Sequence, residues 1–246
     1  GEILRHHTGV EIPTARPLTL FLREKVPSVV APDMVDTVFL VMRKKFKFDA
    51  AFAAAAEIAL KEFGSSWRLT VQKGFVTFDE MARHSAVTML PWGPHPFTFR
   101  ELVNMNAIQL LPSRKWLLVA SLSQYFESQH RSESKLAEHY QDPGGYPLES
   151  SPWYADWPGR NSTFEHTFSP FAIGGDIAAE QYWLGYTEFF QVPGITFFDS
   201  FPHWVQQLAM ISDRRSEIWH TVHEENLRTR AEGQQFWTQV VSSLLE

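Results

Sequence analysis

The chain has no cysteine among its 246 residues. It therefore cannot form a disulfide framework, a thiolate nucleophile or a thiolate metal site. Long apolar runs are also missing, because the longest ones, near residues 38–42, 50–56 and 116–122, fall far short of the roughly 18 to 20 residues that span a bilayer. No signal-peptide pattern opens the sequence. We expect a soluble protein that has no transmembrane segment of its own.

The sequence lacks a basic excess, since its formal net charge is −6 at pH 7. Proteins that bind nucleic acids usually carry positive charge that neutralises phosphates, so we expect no nucleic-acid partner. One basic cluster, interleaved with two phenylalanines, comprises Arg43, Lys44, Lys45 and Lys47. We interpret this cluster as the solvated end of a helix, where cations suit the negative C-terminal dipole.

Signature motifs of several enzyme classes are absent as well. The sequence has no Gly-x-Ser-x-Gly elbow, which serine hydrolases use to present their nucleophile. It also has neither the Gly-x-x-x-x-Gly-Lys-Ser/Thr loop nor the Gly-x-Gly-x-x-Gly fingerprint, so no glycine-rich phosphate site is predicted. These absences favour a non-catalytic role without a cofactor.

The chain is nevertheless rich in apolar residues. Hydrophobic residues make up 44% and charged residues 20%, a balance that is typical of a folded protein rather than a disordered one. The 20 phenylalanines and 9 tryptophans have large rings to bury. Either the core is rich in aromatic side chains, or some of these rings contact a partner.

Capping and periodicity signals predict that most of the chain is helical. Pro32 suits a first helical turn, while Asp49 and Gly64 suit the cap and the stop of a second helix. Capping boxes at Thr77 and Thr98 predict two shorter helices. The other predicted helices cover residues 34–43, 50–63, 113–140, 176–190 and 203–230.

A short hairpin completes the predicted fold. Residues 67–71 and 75–78 are rich in β-branched and aromatic side chains and flank a turn with glycine, as in a β-hairpin. We therefore predict a mainly α protein, an irregular bundle of about seven helices with one small β-hairpin and long loops rich in proline and aromatic residues. Residues 1–31, with several prolines, are predicted to form an extended N-terminal arm. Residues 32–246 are predicted to form a single helical domain.

The segment 142–172 is predicted to be a long aromatic loop. A structureless stretch of roughly 30 residues is uncommon in a compact domain, and its rings need a surface to bury against. The candidate interaction residues are Trp153, Tyr154, Trp157, Phe164, Phe168 and Phe171. We predict that the arm and this loop lie across neighbouring chains. The protein would then be a non-catalytic accessory subunit of a larger complex, with other protein subunits as partners.

Other interpretations of the loop stay open. Its rings could wrap the protein's own core, or they could cover the pocket of a helical small-molecule binder. An intracellular, organellar complex, for example a mitochondrial one, would suit the first residue Gly1, the lack of cysteine and the missing membrane span.

A second function, from a different class, rests on two Glu-x-x-His motifs. Residues three apart share a helix face, and ferritin-like proteins bind two iron ions with two such motifs and two further glutamates. The alternative metal ligands are Glu101, Glu127, His130, Glu180, Glu217 and His220. Such a centre would make the protein a di-iron oxidase or oxygenase. Against it, the motifs arise easily by chance, their helix faces are polar, and Glu101 has a capping role.

Overall fold

The structure, a computed structural model, describes residues 32–42, 47–72, 74–90, 97–119, 184–185 and 187–245. In these residues five strands form one parallel sheet with the order β2-β1-β3-β4-β5. The strands are β1 (Thr37–Val41), β2 (Arg68–Val71), β3 (Ala86–Met89), β4 (Gln109–Pro112) and β5 (Thr196–Phe198).

Helices connect the strands and follow the last one. They are α1 (Lys47–Glu62), α2 (Phe78–Ala82), α3 (Phe97–Asn104) and α4 (Phe201–Leu245), with 3-10 turns at Pro32–Met34 and Glu188–Phe190 and a helical stretch at 114–119. None of the helices in these residues has both the length and the apolar character that a bilayer crossing requires.

The predicted helical bundle with one small hairpin is wrong, because the core is a parallel sheet with helices on both faces. The first predicted helix, 34–43, contains strand β1, whose five residues are all buried. Strands covered on both faces are apolar at every position, so they lose the alternation that distinguishes a strand from a buried helix.

The predicted β-hairpin is wrong for a related reason. Residues 68–71 do form a strand, but it pairs in parallel with β1, in the register Thr37↔Arg68. The second predicted arm, 75–78, is not a strand and instead leads into α2. A parallel partner lies far away in sequence, so local turn signals cannot reveal it.

Two local signals are confirmed. Thr77 caps α2 in a capping box, since its hydroxyl accepts from the Glu80 N–H and the Glu80 carboxylate accepts from the Thr77 N–H. Gly64 ends α1 with a left-handed φ of 60°, and Ser65 N–H donates to the Leu60 carbonyl at 2.9 Å.

Two hydrophobic layers enclose the sheet. In β1, Val38 and Leu40 face the first layer, while Phe39 and Val41 face the second. The first layer contains Phe52, Ala56 and Leu60 of α1 and Trp204, Leu208 and Ile211 of α4. The second contains Met81 of α2 and Phe99, Leu102 and Val103 of α3. Each fully buried large side chain stabilises the fold by about 1.5–3 kcal/mol before entropy is counted.

Helix α4 belongs to both layers. Ile218 packs in the first layer and Val222, one turn later, in the second. The helix departs from helical geometry at Arg214, where φ is −109° and ψ is 17°. The loop before β5 approaches this helix closely at Gly194, whose φ is 82° and where a Cβ would lie 2.6 Å from Cγ2 of Val222.

Candidate functional site

The strand order points to one edge of the sheet as the place for a ligand. α1 follows β1 and packs on one face, whereas α3 follows the neighbouring strand β3 and packs on the other. The two connections therefore diverge between β1 and β3. In open parallel sheets, such a switch point leaves a crevice beyond the carboxyl ends of the strands, and ligands bind there. Val41 and Met89, which pair in register, mark its base.

In the sequence, the basic cluster comes directly after β1, one of the two strands that border this crevice. β1 ends at Val41 and α1 begins at Lys47, so Arg43, Lys44 and Lys45 connect the strand to the helix. The interpretation of the cluster as the C-terminal end of a helix is wrong, because the first predicted helix is in fact a strand. The cluster instead precedes the positive, N-terminal end of α1.

Cations at this end of a helix are unfavourable unless an anion accompanies them. Each charge of the wrong sign beside a helix terminus costs roughly 0.3–1 kcal/mol. The only acidic residue in the first turn of α1 is Asp49, which is completely buried. The free N–H groups of a helix N-terminus and nearby cations together form a favourable environment for a phosphate or carboxylate.

Described side chains fix the point where β1 leaves the sheet. Gln72 follows β2, and its Oε1 accepts a hydrogen bond from the Met42 N–H at 3.0 Å. Its Nε2 donates to the Gly74 carbonyl at 3.2 Å. The one amide therefore ties together the segments that follow β1 and β2 at this edge.

Helix α3 carries a carboxyl group with an unusual environment. Oε2 of Glu101 is buried and has no hydrogen-bond partner among the described residues. Burial raises the pKa of the Glu101 carboxyl. The adjacent Arg100 is not free to compensate, because it pairs with Glu188 at 2.8 Å.

The outer half of the same edge is apolar and filled. The rings of Phe52, Trp116, Phe198 and Phe201 pack with centroid separations of 5.1 to 6.3 Å. Beside them, Ser200 caps α4, since its Oγ accepts from the His203 N–H at 3.2 Å. These rings therefore occupy the β4–β5 side of the edge.

The described residues do not bring the alternative metal ligands together. Glu217 is exposed and pairs with Arg214, and His220 is exposed beside Trp219. Glu127, His130 and Glu180 lie outside the described residues. No group of three or more His, Asp or Glu side chains suited to a metal occurs in the described part of the chain. The di-iron set stays a prediction, now without the helical bundle on which it was argued.

The predicted interaction elements cannot be placed. The N-terminal arm, 1–31, and the aromatic loop, 142–172, fall outside the described residues. The same holds for the interaction residues Trp153, Tyr154, Trp157, Phe164, Phe168 and Phe171. Their roles remain predictions.

Sequence reasoning missed the switch point, although a signal for it exists. The apolar run from Val38 is followed at once by the cations and then by the amphipathic α1. A strand, a polar connection and a helix in this order form the repeating unit of parallel α/β sheets. Interpreting the run as helix hid that pattern.

Comparison with known proteins gives no indication of function, so the carboxyl edge of the sheet is the main guide to it. The chain matches no protein family, no curated protein and no solved structure. Any candidate function must therefore follow from the sheet order and from the charges beside the crevice.

Proposed function

We propose that the protein binds a phosphate-bearing small molecule, of the size and charge of a nucleotide, in the crevice between β1 and β3. The observation that carries the proposal is the position of the basic cluster. It lies in sequence between the carboxyl end of β1 and the N-terminus of α1, where cations and helix N–H groups together suit an anionic ligand.

The chemistry of the cluster suits phosphate. An arginine guanidinium presents parallel N–H donors that match two phosphate oxygens, and lysines add mobile point charges. The chain has no glycine-rich phosphate loop, so side-chain charge and the helix N–H groups would do together what backbone loops do in other nucleotide-binding proteins.

A small ligand fits better than a nucleic acid. Nucleic-acid binding relies on a basic face that follows several phosphates along the chain. This protein is acidic overall, with a net charge of −6, and its one dense run of basic residues, 43–47, is confined to a single connection in the sequence. That distribution would repel a long polyanion while still attracting one or two phosphate groups.

The test measures binding of ADP, pyrophosphate and adenosine to the full chain by titration calorimetry. We expect ADP and pyrophosphate to bind and adenosine, which lacks phosphate, to bind at least about tenfold more weakly. The double variant Lys44→Ala/Lys45→Ala should lose at least about tenfold in ADP affinity, or about 1.4 kcal/mol. Raising the salt concentration should weaken the binding as well.

A matched variant controls for the change in net charge. Lys61→Ala/Arg83→Ala removes two exposed cations, one at the far end of α1 and one before β3. This pair should leave the ADP affinity unchanged. Equal losses in the two double variants, or no binding of ADP and pyrophosphate by the unmodified chain, would rule out the site.

The accessory-subunit interpretation remains a second proposal. The observation that favours it is an apolar stripe on α4, formed by Trp237, Val241 and Leu244, which are 57%, 52% and 78% exposed. Their spacing of four and three residues places them on one helix face. A stripe of this kind is typical of a helix that packs against another subunit.

The size of the purified chain in solution tests this second proposal. An exposed stripe should make the isolated chain associate as its concentration rises, and Trp237→Gln/Leu244→Gln should reduce that association. Sedimentation analysis provides the measurement. A chain that stays monomeric at high concentration, with or without the substitutions, would count against an interaction surface here.

A further inference from the structure

Phe75 is the most exposed large apolar residue in the described part of the chain, with 93% of its surface accessible to solvent. Its ring therefore adds almost nothing to the packing of the fold. A single exposed apolar side chain is ordinary on a protein surface, so the position of Phe75 decides whether the ring has a function. It lies in the connection between β2 and α2, at the carboxyl edge of the sheet.

The connection that carries Phe75 is tied to the rest of the domain on both sides of the ring. Before it, the Gln72 side chain accepts from the Met42 N–H, just after β1, and donates to the Gly74 carbonyl. After it, Val76 packs against the second hydrophobic layer. The backbone at Phe75 is therefore held beside the point where β1 leaves the sheet.

This position is close to the proposed phosphate site. β2 neighbours β1, and β1 neighbours β3, so the crevice between β1 and β3 begins one strand away from the end of β2. Neighbouring strands lie about 4.8 Å apart, which places the end of β2 about 7 Å from the middle of the crevice. The sugar and the diphosphate of a nucleotide together are long enough to bridge a separation of this order.

There is also room beside the ring. Gly74 adopts a left-handed φ of 88°, and a Cβ placed there would meet no atom within 4 Å. Phe78, three residues further along, packs against the second layer instead, so of these two phenylalanines only Phe75 is left to solvent. An exposed aromatic ring with open space next to it can accept a flat ligand ring against its face.

From these observations we propose that Phe75 is a stacking platform for the aromatic base of a bound nucleotide, an inference that rests on the phosphate site proposed above. Stacking uses only the face of the ring and therefore tolerates any base. The binding site would then have two parts, in which the cations at 43–45 hold the phosphates and Phe75 holds the base. This division identifies the ligand as a nucleotide rather than a sugar phosphate.

The test compares ADP with pyrophosphate, which carries phosphates but no base, by titration calorimetry on the full chain. Phe75→Ala should weaken ADP binding at least about fivefold. The same variant should bind pyrophosphate within about twofold of the unmodified chain. Because salt does not screen an uncharged ring contact, the loss of ADP affinity should be the same at about 0.05 M and about 0.3 M NaCl.

Three further variants separate stacking from other effects. Phe75→Trp keeps a flat ring and should retain the ADP affinity. Phe75→Leu keeps an apolar side chain without a ring face, so it should behave like Phe75→Ala. Phe63→Ala removes another exposed ring, 56% accessible, from the connection between α1 and β2 at the opposite edge of the sheet. This control should change neither affinity.

The stacking platform is overturned if Phe75→Ala leaves the ADP affinity unchanged or weakens ADP and pyrophosphate equally. It is also overturned if Phe75→Leu binds ADP as well as the unmodified chain does, or if Phe75→Trp loses as much affinity as Phe75→Ala. Each of these results would leave the phosphate site in place, because the unmodified chain would still bind both ligands. An unmodified chain that binds neither ligand would instead remove the phosphate site, and the platform with it.

Discussion

Arg100 donates a hydrogen bond of 2.8 Å to the Glu188 carboxylate, and the two side chains are only 4% and 11% exposed. The pair joins α3 to the turn before β5 across 88 positions of sequence. It buries two opposite charges in the second layer, where each stabilises the other. Removing either one would leave the other charge buried and unpaired, which is strongly destabilising.

Breaking this ion pair should destabilise the protein strongly. Glu188→Leu leaves the Arg100 charge buried and unpaired, which costs about 3–5 kcal/mol. Urea unfolding at neutral pH measures the change. The exposed pair of Arg214 and Glu217 is the control, since Glu217→Leu should cost less than about 1 kcal/mol. Similar losses of unfolding free energy for the two substitutions would show that burial does not make the ion pair of Arg100 and Glu188 more important for stability than an exposed pair.

Gly194 should tolerate alanine much less well than Gly64 does. Both have left-handed backbones, with φ of 82° and 60°, so alanine costs about 1–2 kcal/mol at each. At Gly194 the new Cβ would also meet Val222, whereas nothing lies within 4 Å at Gly64. The clash should add about 1–3 kcal/mol.

Thermal and urea unfolding of the two alanine variants provide the comparison. Gly64→Ala serves as the control for backbone strain alone. If the two substitutions destabilise the protein equally, then the loop before β5 can move away from α4, and the close approach at Gly194 is not a constraint.

The stability of the protein should fall in mild acid because of His84. Burial lowers the pKa of its imidazole below the ordinary value of about 6.5. Below that pH the unfolded chain takes up a proton that the folded protein excludes. The resulting stability is therefore full above about pH 6.5 and is lost as the pH falls, by at most about 1.4 kcal/mol per pH unit.

A comparison with His84→Gln isolates this effect from other titrating groups. The difference in unfolding free energy between the two proteins should shrink from about pH 8 to about pH 5. Desolvation is the main cause of the lowered pKa, so about 0.5 M NaCl should leave the trend in place. A difference that stays constant with pH would contradict a buried, neutral imidazole.

Thr88 should contribute more to the stability of the protein than its small size suggests. Its Oγ1 accepts the indole N–H of Trp204 at 3.1 Å, and both residues are completely buried. Thr88→Val keeps the volume but leaves that N–H unpaired, at a cost of about 1–3 kcal/mol. The same substitution in a Trp204→Phe background should cost much less, because the donor is gone.

Thr221 offers a control for this substitution. Its hydroxyl donates to the Glu217 carbonyl of the same helix at a more exposed position, so Thr221→Val should change stability by no more than about 0.5 kcal/mol. Chemical denaturation of the four variants completes the cycle. Additive effects of Thr88→Val and Trp204→Phe would mean that the hydrogen bond contributes nothing.

Local chemistry in this chain is easier to predict than its topology. The capping box at Thr77 and the stop at Gly64 follow from side-chain and backbone preferences within a few residues, and the structure confirms both. The strands could not be predicted in the same way. They are three to five residues long, and every residue of β1 is buried, so no alternation marks them.

The candidate site was partly visible in the sequence. The basic cluster was apparent, but its meaning depends on whether a strand or a helix precedes it. Once Thr37–Val41 is a strand, the same charges move from the favourable end of one helix to the unfavourable end of the next. A pocket at the amino-terminal edge of the sheet, which His84 and Trp219 both line, had no sequence signal, because its walls come together only through long-range packing.

Helix α4 packs in both hydrophobic layers, and this has a consequence for biosynthesis. This helix and β5 are the last described elements to leave the ribosome, yet Ile218 fills one layer and Val222 the other. A nascent chain that lacks them exposes apolar surface on both faces of an unfinished sheet. The sheet should therefore be covered on both faces only after these two elements have been translated, and until then the chain should depend on chaperones to avoid aggregation.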